Sequence, residues 1–170
     1  MKPFKRRYYR SVGELGRDVV WPFRHRRQLR LALRGGLVDF AFRERLMLAV
    51  TAVNDCRYCS YFHAKEALRA DLSETEIRQM QDGILDLAPA QELPALLYAQ
   101  HWAESDAHPD PAARQKLVQT YGLEQAEAIE TVLRMIRTGN LAGNTADFLI
   151  FRLSFGRLGV TRDERAQAPA

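Results

Sequence analysis

Residues 44–68 carry the pattern that decides the fold, and they read ERLMLAVTAVNDCRYCSYFHAKEAL. The segment contains the chain's only two cysteines, Cys56 and Cys59, and His63 follows one helical turn later. Because an α-helix has about 3.6 residues per turn, positions 56, 59 and 63 fall on one face of a helix. The spacing therefore predicts two thiols and an imidazole side by side, which is the composition of a redox site.

The composition places the chain among globular proteins. It has 170 residues, of which 46% are apolar and 27% are charged, and this is enough to bury the core of one domain. No run of about 18 apolar residues predicts a membrane span, and the basic amino terminus does not resemble a secretory leader. We therefore expect a cytoplasmic protein with no membrane partner. In a reducing compartment a close cysteine pair is more often catalytic or metal-binding than structural.

Positive charge is concentrated in the first 35 residues. They hold eleven Lys or Arg against Glu14 and Asp18, a net charge of +9, so the +4 of the whole chain leaves −5 for the remainder. We interpret residues 1–35 as a basic arm with short helices, interrupted at Pro22, that faces solvent or another subunit. Charge alone gives only sequence-independent attraction, and no nucleic-acid motif accompanies it, so we do not expect a nucleic-acid partner.

Helical patterns dominate the rest of the chain and predict an all-α, single-domain helical bundle. Apolar residues from Val38 to Val53 recur at helical intervals and predict a buried helix, and Asn54 or Asp55 is expected to cap the next helix from Cys56 to about Arg69. The helical domain should span residues 36–160, followed by a disordered tail, 161–170. Further helices are expected over residues 25–34, 74–83, 90–105, 111–121 and 124–155, the last with a pause at 139–140.

The cysteine segment supports thiol chemistry. A thiol attacks only as its thiolate, and a helix amino terminus or a nearby cation favours that form. Cys56 is expected in the first helical turn, and His63 can take the proton of Cys59 or pair with its anion. Glu44 is a charge within the apolar helix; it lies either on a narrow exposed strip or near the thiols as a proton-handling carboxylate. Asn140 and Asn144, beside two glycines, mark either a tight helix crossing or a kink, and substrate contact is a further alternative for them.

The segment from Glu44 to Leu68, followed by Leu72-Ser73-Glu74, strongly resembles the alkylhydroperoxidase D-like and carboxymuconolactone decarboxylase superfamily. The resemblance implies an all-α fold, homo-oligomers as trimers or hexamers, and thiol-dependent peroxidase activity. It also implies the following roles: Cys59 attacks the peroxide, Cys56 resolves the sulfenate, His63 activates Cys59, and Glu44 relays a proton toward Cys56. The paired cysteines make lactone decarboxylation a poor fit.

The aromatic residues beside the thiols, Tyr58, Tyr61 and Phe62, are expected to wall a pocket suited to alkyl hydroperoxides. Tyr58 stands where the best-studied peroxidase pattern of this superfamily has histidine, and a phenol cannot shuttle protons near neutral pH as an imidazole can. We expect a thiol or lipoyl-type electron donor, and neither a cofactor nor a metal.

Two alternatives to a peroxidase remain at this point. The first is a non-enzymatic redox-sensing or structural oligomeric module, in which the cysteines are inert parts of a core. The second is a zinc site that uses Cys56, Cys59, His63 and a fourth ligand such as Glu44 or His101. Ligands three and four apart on a single helix rarely surround a tetrahedral ion without a second pair elsewhere, which weakens the zinc alternative.

Overall fold

The computed structural model describes residues 4–161 and Glu164. These residues form a single all-α domain of eight helices without β-strands, as the sequence predicts. Of the predicted disordered tail, residues 162–163 and 165–170 lie outside the described residues. The helices are α1 Val12–Arg24, α2 Arg26–Arg34, α3 Phe40–Asn54, α4 Arg57–Arg69, α5 Glu74–Gln81, α6 Leu93–Glu104, α7 Pro111–Tyr121 and α8 Leu123–Leu153.

Helix α3 is the centre of the domain. Nine of its fifteen residues are buried, and it contacts α4, α5, α6 and α8. It begins after Asp39, whose carboxylate accepts the Phe42 backbone N–H at 2.8 Å, so the predicted buried helix is correct with a start two residues later. Leu46 and Leu48 are fully enclosed, and burial of such a side chain contributes roughly 1.5–3 kcal/mol.

The turn from α3 to α4 differs from the prediction at its cap. Asp55 ends α3 in the left-handed conformation, at a φ of 54°, and its N–H donates to the Thr51 carbonyl at 2.8 Å. Cys56 is therefore the residue that precedes α4, and its carbonyl accepts the Ser60 N–H at 2.8 Å. The expectation that Asn54 or Asp55 caps α4 was wrong, because Asp55 serves the end of the preceding helix.

The starts of two other helices follow their local signals. Ser73 Oγ accepts the Glu76 N–H at 3.1 Å at the start of α5, and Asp110 accepts the Ala112 N–H at 3.0 Å at the start of α7, with Pro111 in the first helical position. Helix α6 begins at residue 93 rather than 90, because the residues before it form a turn on the Pro89 carbonyl.

Helix α8 is continuous, so the predicted pause at Gly139 and Asn140 was wrong. The glycines instead permit a close approach to the α3–α4 turn. A Cβ built on Gly143 would lie 3.0 Å from Cys56 Sγ, and one on Gly139 would lie 3.8 Å from Cys59 Sγ. The glycines therefore mark a tight helix crossing, which was one of the two predicted alternatives.

The basic amino-terminal segment is packed on the domain from residue 4 onward. Helices α1 and α2 contact α8, and Ala32 of α2 is fully buried. Helix α1 continues through Pro22, which lies in its last turn, so Pro22 does not interrupt it as expected. Arg137 of α8 binds α1 through Glu14 at 2.9 Å and Asp18 at 2.7 Å. The division at residue 35 stays a prediction.

Among the described helices, none combines the length and the apolar composition that a membrane crossing requires.

Substitution by alanine should have opposite effects on stability at the two glycines of α8. Gly143→Ala is expected to destabilise the protein by about 1–3 kcal/mol, because its methyl group would overpack against Cys56 Sγ and the Tyr58 ring. Gly139→Ala meets only an ordinary contact and should stabilise the helix by roughly 0.5–1 kcal/mol. Urea unfolding of the reduced proteins, followed by circular dichroism, measures both changes. Equal effects of the two substitutions would contradict this account of the crossing.

Candidate active site

The two cysteines lie together where α4 starts. Cys56 directly precedes the helix and is 1% exposed, whereas Cys59 in the first turn is only partly buried. Both are thiols, and each one shifts the pKa of the other. The predicted proximity of the sulfurs is therefore present in the structure.

The hydrogen bond between the thiols separates their acidities. The pKa of Cys56 is lowered from 9.0 to about 7, mainly by the hydrogen bond from Cys59, and also by the backbone N–H groups of Tyr58 and Cys59 and the positive charge of Arg6. The pKa of Cys59 is raised, first because its proton is held by Cys56 and then because the side chain is buried. The first negative charge of the pair therefore resides on Cys56.

Asn140 of α8 lies next to the two cysteines, where α8 packs against the α3–α4 turn. Its amide is fully buried and hydrogen-bonds Cys59, which partly offsets the rise in the pKa of that thiol. Its Oδ1 accepts from Asn54 Nδ2 at 3.1 Å and its Nδ2 donates to Thr51 Oγ1 at 3.1 Å. These two contacts fix the amide orientation, so an N–H is held against the Cys59 sulfur. The sequence indicated a crossing here but no role at the thiols.

Glu44 and His63 form a pair beside the cysteines. Glu44 Oε2 lies 2.7 Å from His63 Nδ1, and both side chains are largely buried. The alternative that Glu44 lies on an exposed strip was therefore wrong. Arg43 Nε lies 3.6 Å from Glu44 Oε1, whereas Arg45 pairs with Glu76. The turn between α3 and α4 brings these partners together across nineteen positions.

The Glu44–His63 contact determines which ring nitrogen of His63 can accept a proton. With Nδ1 donating to the carboxylate, Nε2 is left as the proton acceptor. Within the described part of the chain the ring makes no hydrogen bond to either sulfur. Proton transfer between His63 and a thiol would therefore require a bridging water or an incoming substrate. Direct activation of Cys59 by His63 stays a prediction.

The three aromatic residues of α4 lie on its outer face. Tyr61 is 67% exposed, Phe62 is 56% exposed, and the Phe62 ring meets the edge of His63 at a centroid distance of 5.1 Å. Tyr58 is also partly exposed, but its hydroxyl donates to Asp147 Oδ1 at 2.8 Å. Substrate contact by these residues stays a prediction.

No local pattern in the sequence indicated the charged groups that meet near the turn. Arg6 NH1 lies 2.5 Å from Asp147 Oδ2, and both side chains are buried. They are 141 positions apart, so no local spacing could have joined them. Arg57, between the cysteines, also binds Asp147, at 2.6 Å.

The zinc alternative finds no support in the geometry. Among residues 4–161 and Glu164, no three His, Cys, Asp or Glu side chains are grouped so that they could hold a metal ion. His101, the possible fourth ligand, uses Nε2 to accept the Asp110 backbone N–H at 3.1 Å.

The fold and the site define a class of all-helical proteins in which a Cys-x-x-Cys pair follows a helix turn beside a glutamate–histidine pair. A family model described as the carboxymuconolactone decarboxylase family matches residues 20–105, just over half of the chain, and the chain belongs to that family. The match covers both cysteines, Glu44 and His63, and it ends before α8. No curated protein and no solved structure matched the chain significantly.

The pKa of Cys56 gives a test of the thiol pair. The thiolate absorbance of the reduced protein should rise with a midpoint near pH 7, because Cys59 stabilises the Cys56 thiolate. In Cys59→Ala that interaction is absent, and the midpoint should move upward toward the ordinary value. Ultraviolet absorbance across pH measures both profiles without requiring a reagent to reach the buried Cys56. An unchanged midpoint in Cys59→Ala would show that the thiols do not interact as described.

Proposed function

We propose that this chain is a thiol-dependent peroxidase that reduces alkyl hydroperoxides through a dithiol–disulfide cycle of Cys56 and Cys59. The proposal depends on one observation: the Cys56 and Cys59 thiols are adjacent, and His63, one helical turn after Cys59, is paired with the buried Glu44. Membership of a family that includes enzymes is compatible with it. We assign no metal or organic cofactor to the cycle.

The first step is attack by Cys59. Cys59 is the less buried residue of the two, which favours it as the thiol that meets the hydroperoxide. The thiolate attacks the terminal peroxide oxygen and the O–O bond breaks. The alkoxide takes a proton to leave as the alcohol, and Cys59 becomes a sulfenic acid.

The second step is resolution by Cys56. Its thiolate attacks the Cys59 sulfur, an S–S bond forms, and hydroxide leaves and is protonated to water. An external thiol or lipoyl-type dithiol then reduces the disulfide, is itself oxidised to a disulfide, and restores both thiols. Two electrons from the donor thus reduce one hydroperoxide to alcohol and water.

The proposed roles of His63 and Glu44 concern the proton. Because the pKa of Cys59 is raised, its ionisation needs a base during the first step. His63 accepts that proton at Nε2 and Glu44 stabilises the resulting imidazolium through Nδ1. The same proton is then available to the departing alkoxide.

The proposal has two further parts. Tyr61 and Phe62, exposed next to His63, give the substrate an apolar rim, with Tyr58 beside them. The exposed aromatic face of α4 also suits a subunit contact, and we propose a homo-oligomer, a trimer or hexamer.

The redox cycle predicts a defined thiol count. Alkyl hydroperoxide should remove two free thiols per chain, and dithiothreitol should restore both, as measured by thiol titration. In Cys56→Ser the sulfenate should persist at Cys59 and be trapped by dimedone, because no resolving thiol remains. Cys59→Ser is the matched control and should form little adduct. Adduct only at Cys56 would reverse the two roles, and thiols indifferent to hydroperoxide would favour a structural module.

Glu44→Gln tests the proton pathway. The substitution keeps the size and a hydrogen bond to His63 but removes the charge that stabilises the imidazolium, so kcat/KM for the hydroperoxide should fall about 10²-fold. Glu66→Gln is the control, since Glu66 of α4 pairs with Arg69 and not with the site. Steady-state peroxide consumption measures both variants. Equal rates for Glu44→Gln and Glu66→Gln would rule out a role for Glu44 in proton transfer.

A further inference from the structure

One edge of α8 supports the whole α3–α4 turn. Asn140 meets Cys59, Gly143 leaves room for Cys56, and Asn144 donates to the Asn54 carbonyl at 2.8 Å. Asp147, one turn further, binds the two residues between the cysteines. Positions 140, 143 and 147 follow one another at intervals of three or four, and so do 140, 144 and 147, so all four share one side of the helix.

Asp147 is completely buried and completely paired. Its Oδ1 accepts from Tyr58 Oη at 2.8 Å and from Arg57 NH2 at 2.6 Å, and its Oδ2 accepts from Arg6 NH1 at 2.5 Å. Burial raises the pKa of Asp147, but the hydrogen bonds from Arg6, Tyr58 and Arg57 outweigh it and hold the pKa below its usual range. The carboxylate is therefore ionised at neutral pH.

Arg6 binds Asp147 through Oδ2, the carboxylate oxygen that Arg57 and Tyr58 do not contact. The Arg6 side chain is also enclosed, and it donates to the Gly159 carbonyl at 2.6 Å and to Glu164 Oε1 at 2.9 Å. Its donors thus join the amino-terminal segment, α8 and the residues that follow α8. Neither Arg6 nor Asp147 lies in the segment that the family model matches.

We propose that Asp147, held by Arg6, is a positioning residue of the redox site that fixes the Cys56–Cys59 turn through Arg57 and Tyr58. A buried ion pair contributes little net stability, because desolvation of the two charges offsets their attraction. The ion pair instead restricts the geometry of the turn, because both residues between the cysteines bind the same buried carboxylate. This inference rests on the proposed function, since the geometry it fixes is that of the disulfide-forming pair.

The position of the turn determines how readily the sulfurs bond. Two thiols held in bonding geometry have a high effective concentration relative to each other. This effective concentration falls when the residues between them are free to move. Arg6 adds a second effect, because its positive charge lowers the pKa of Cys56. The groups around this sulfur include Cys59 and Tyr58 of α4, Arg6 of the amino-terminal segment and Gly143 of α8.

The test is the disulfide equilibrium of the full chain with glutathione, measured without peroxide. Asp147→Asn should reduce the effective concentration of the thiols about tenfold, and Tyr58→Phe, which removes one hydrogen bond and no charge, about threefold. Arg137→Gln is the matched control. It breaks a comparable ion-pair network between the amino-terminal segment and α8, at Glu14 and Asp18, and should leave the equilibrium unchanged while lowering the urea midpoint.

An Asp147→Asn protein that folds and keeps the wild-type equilibrium within twofold would overturn the inference, as would an equal shift in Arg137→Gln. If Asp147→Asn does not fold, Tyr58→Phe decides by the same criterion. Hydrogen exchange over residues 54–62 gives a readout without redox chemistry, and it should accelerate in Asp147→Asn and Tyr58→Phe but not in Arg137→Gln. A wild type that forms the disulfide but never consumes hydroperoxide would refute the proposed function and leave this inference standing.

Discussion

The contact between α8 and the α3–α4 turn constrains everything else at this site. A glycine at 143 favours this contact, because a methyl group there would lie 3.0 Å from Cys56 Sγ. Once the backbones are this close, the polar groups that the turn buries have to find partners on α8, and Asn140, Asn144 and Asp147 provide them. The same contact thus orders the turn and sets the surroundings of both sulfurs.

The charges around the turn are arranged to separate two thiols that are chemically identical in isolation. Cys56 accepts hydrogen bonds at the amino terminus of α4 and lies near Arg6, so it ionises first. Cys59 keeps its proton and faces the Asn140 amide. The difference arises from position within one helical turn and from residues far away in the sequence, rather than from the Cys-x-x-Cys spacing itself.

Local patterns in the sequence were enough for most of the helices and for the adjacent positions of the two cysteines. The apolar repeat predicted α3, the Ser73 and Asp110 signals predicted the starts of α5 and α7, and the proximity of Cys56 and Cys59 followed from their spacing. The predictions were wrong where one sequence signal is compatible with two different structures. A glycine can break a helix or admit a neighbour, and an aspartate between helices can end one or begin the next. The Arg6–Asp147 pair had no local signal because its partners meet only in the fold.

Access and acidity favour different sulfurs, and the proposed cycle needs both properties. The thiol that meets the substrate has to be reachable, which describes Cys59, and a nearby base can supply its ionisation. The thiol that resolves the sulfenate needs no access to solvent but has to be an anion already, which describes Cys56. Reduction follows the same logic, because a donor thiolate can attack only the accessible sulfur, and the sulfur that then leaves is the one with the lower pKa. The proposed cycle therefore uses a buried thiol of low pKa for resolution and as the leaving group. It uses a less buried thiol of high pKa for attack on the peroxide and for reduction by the donor.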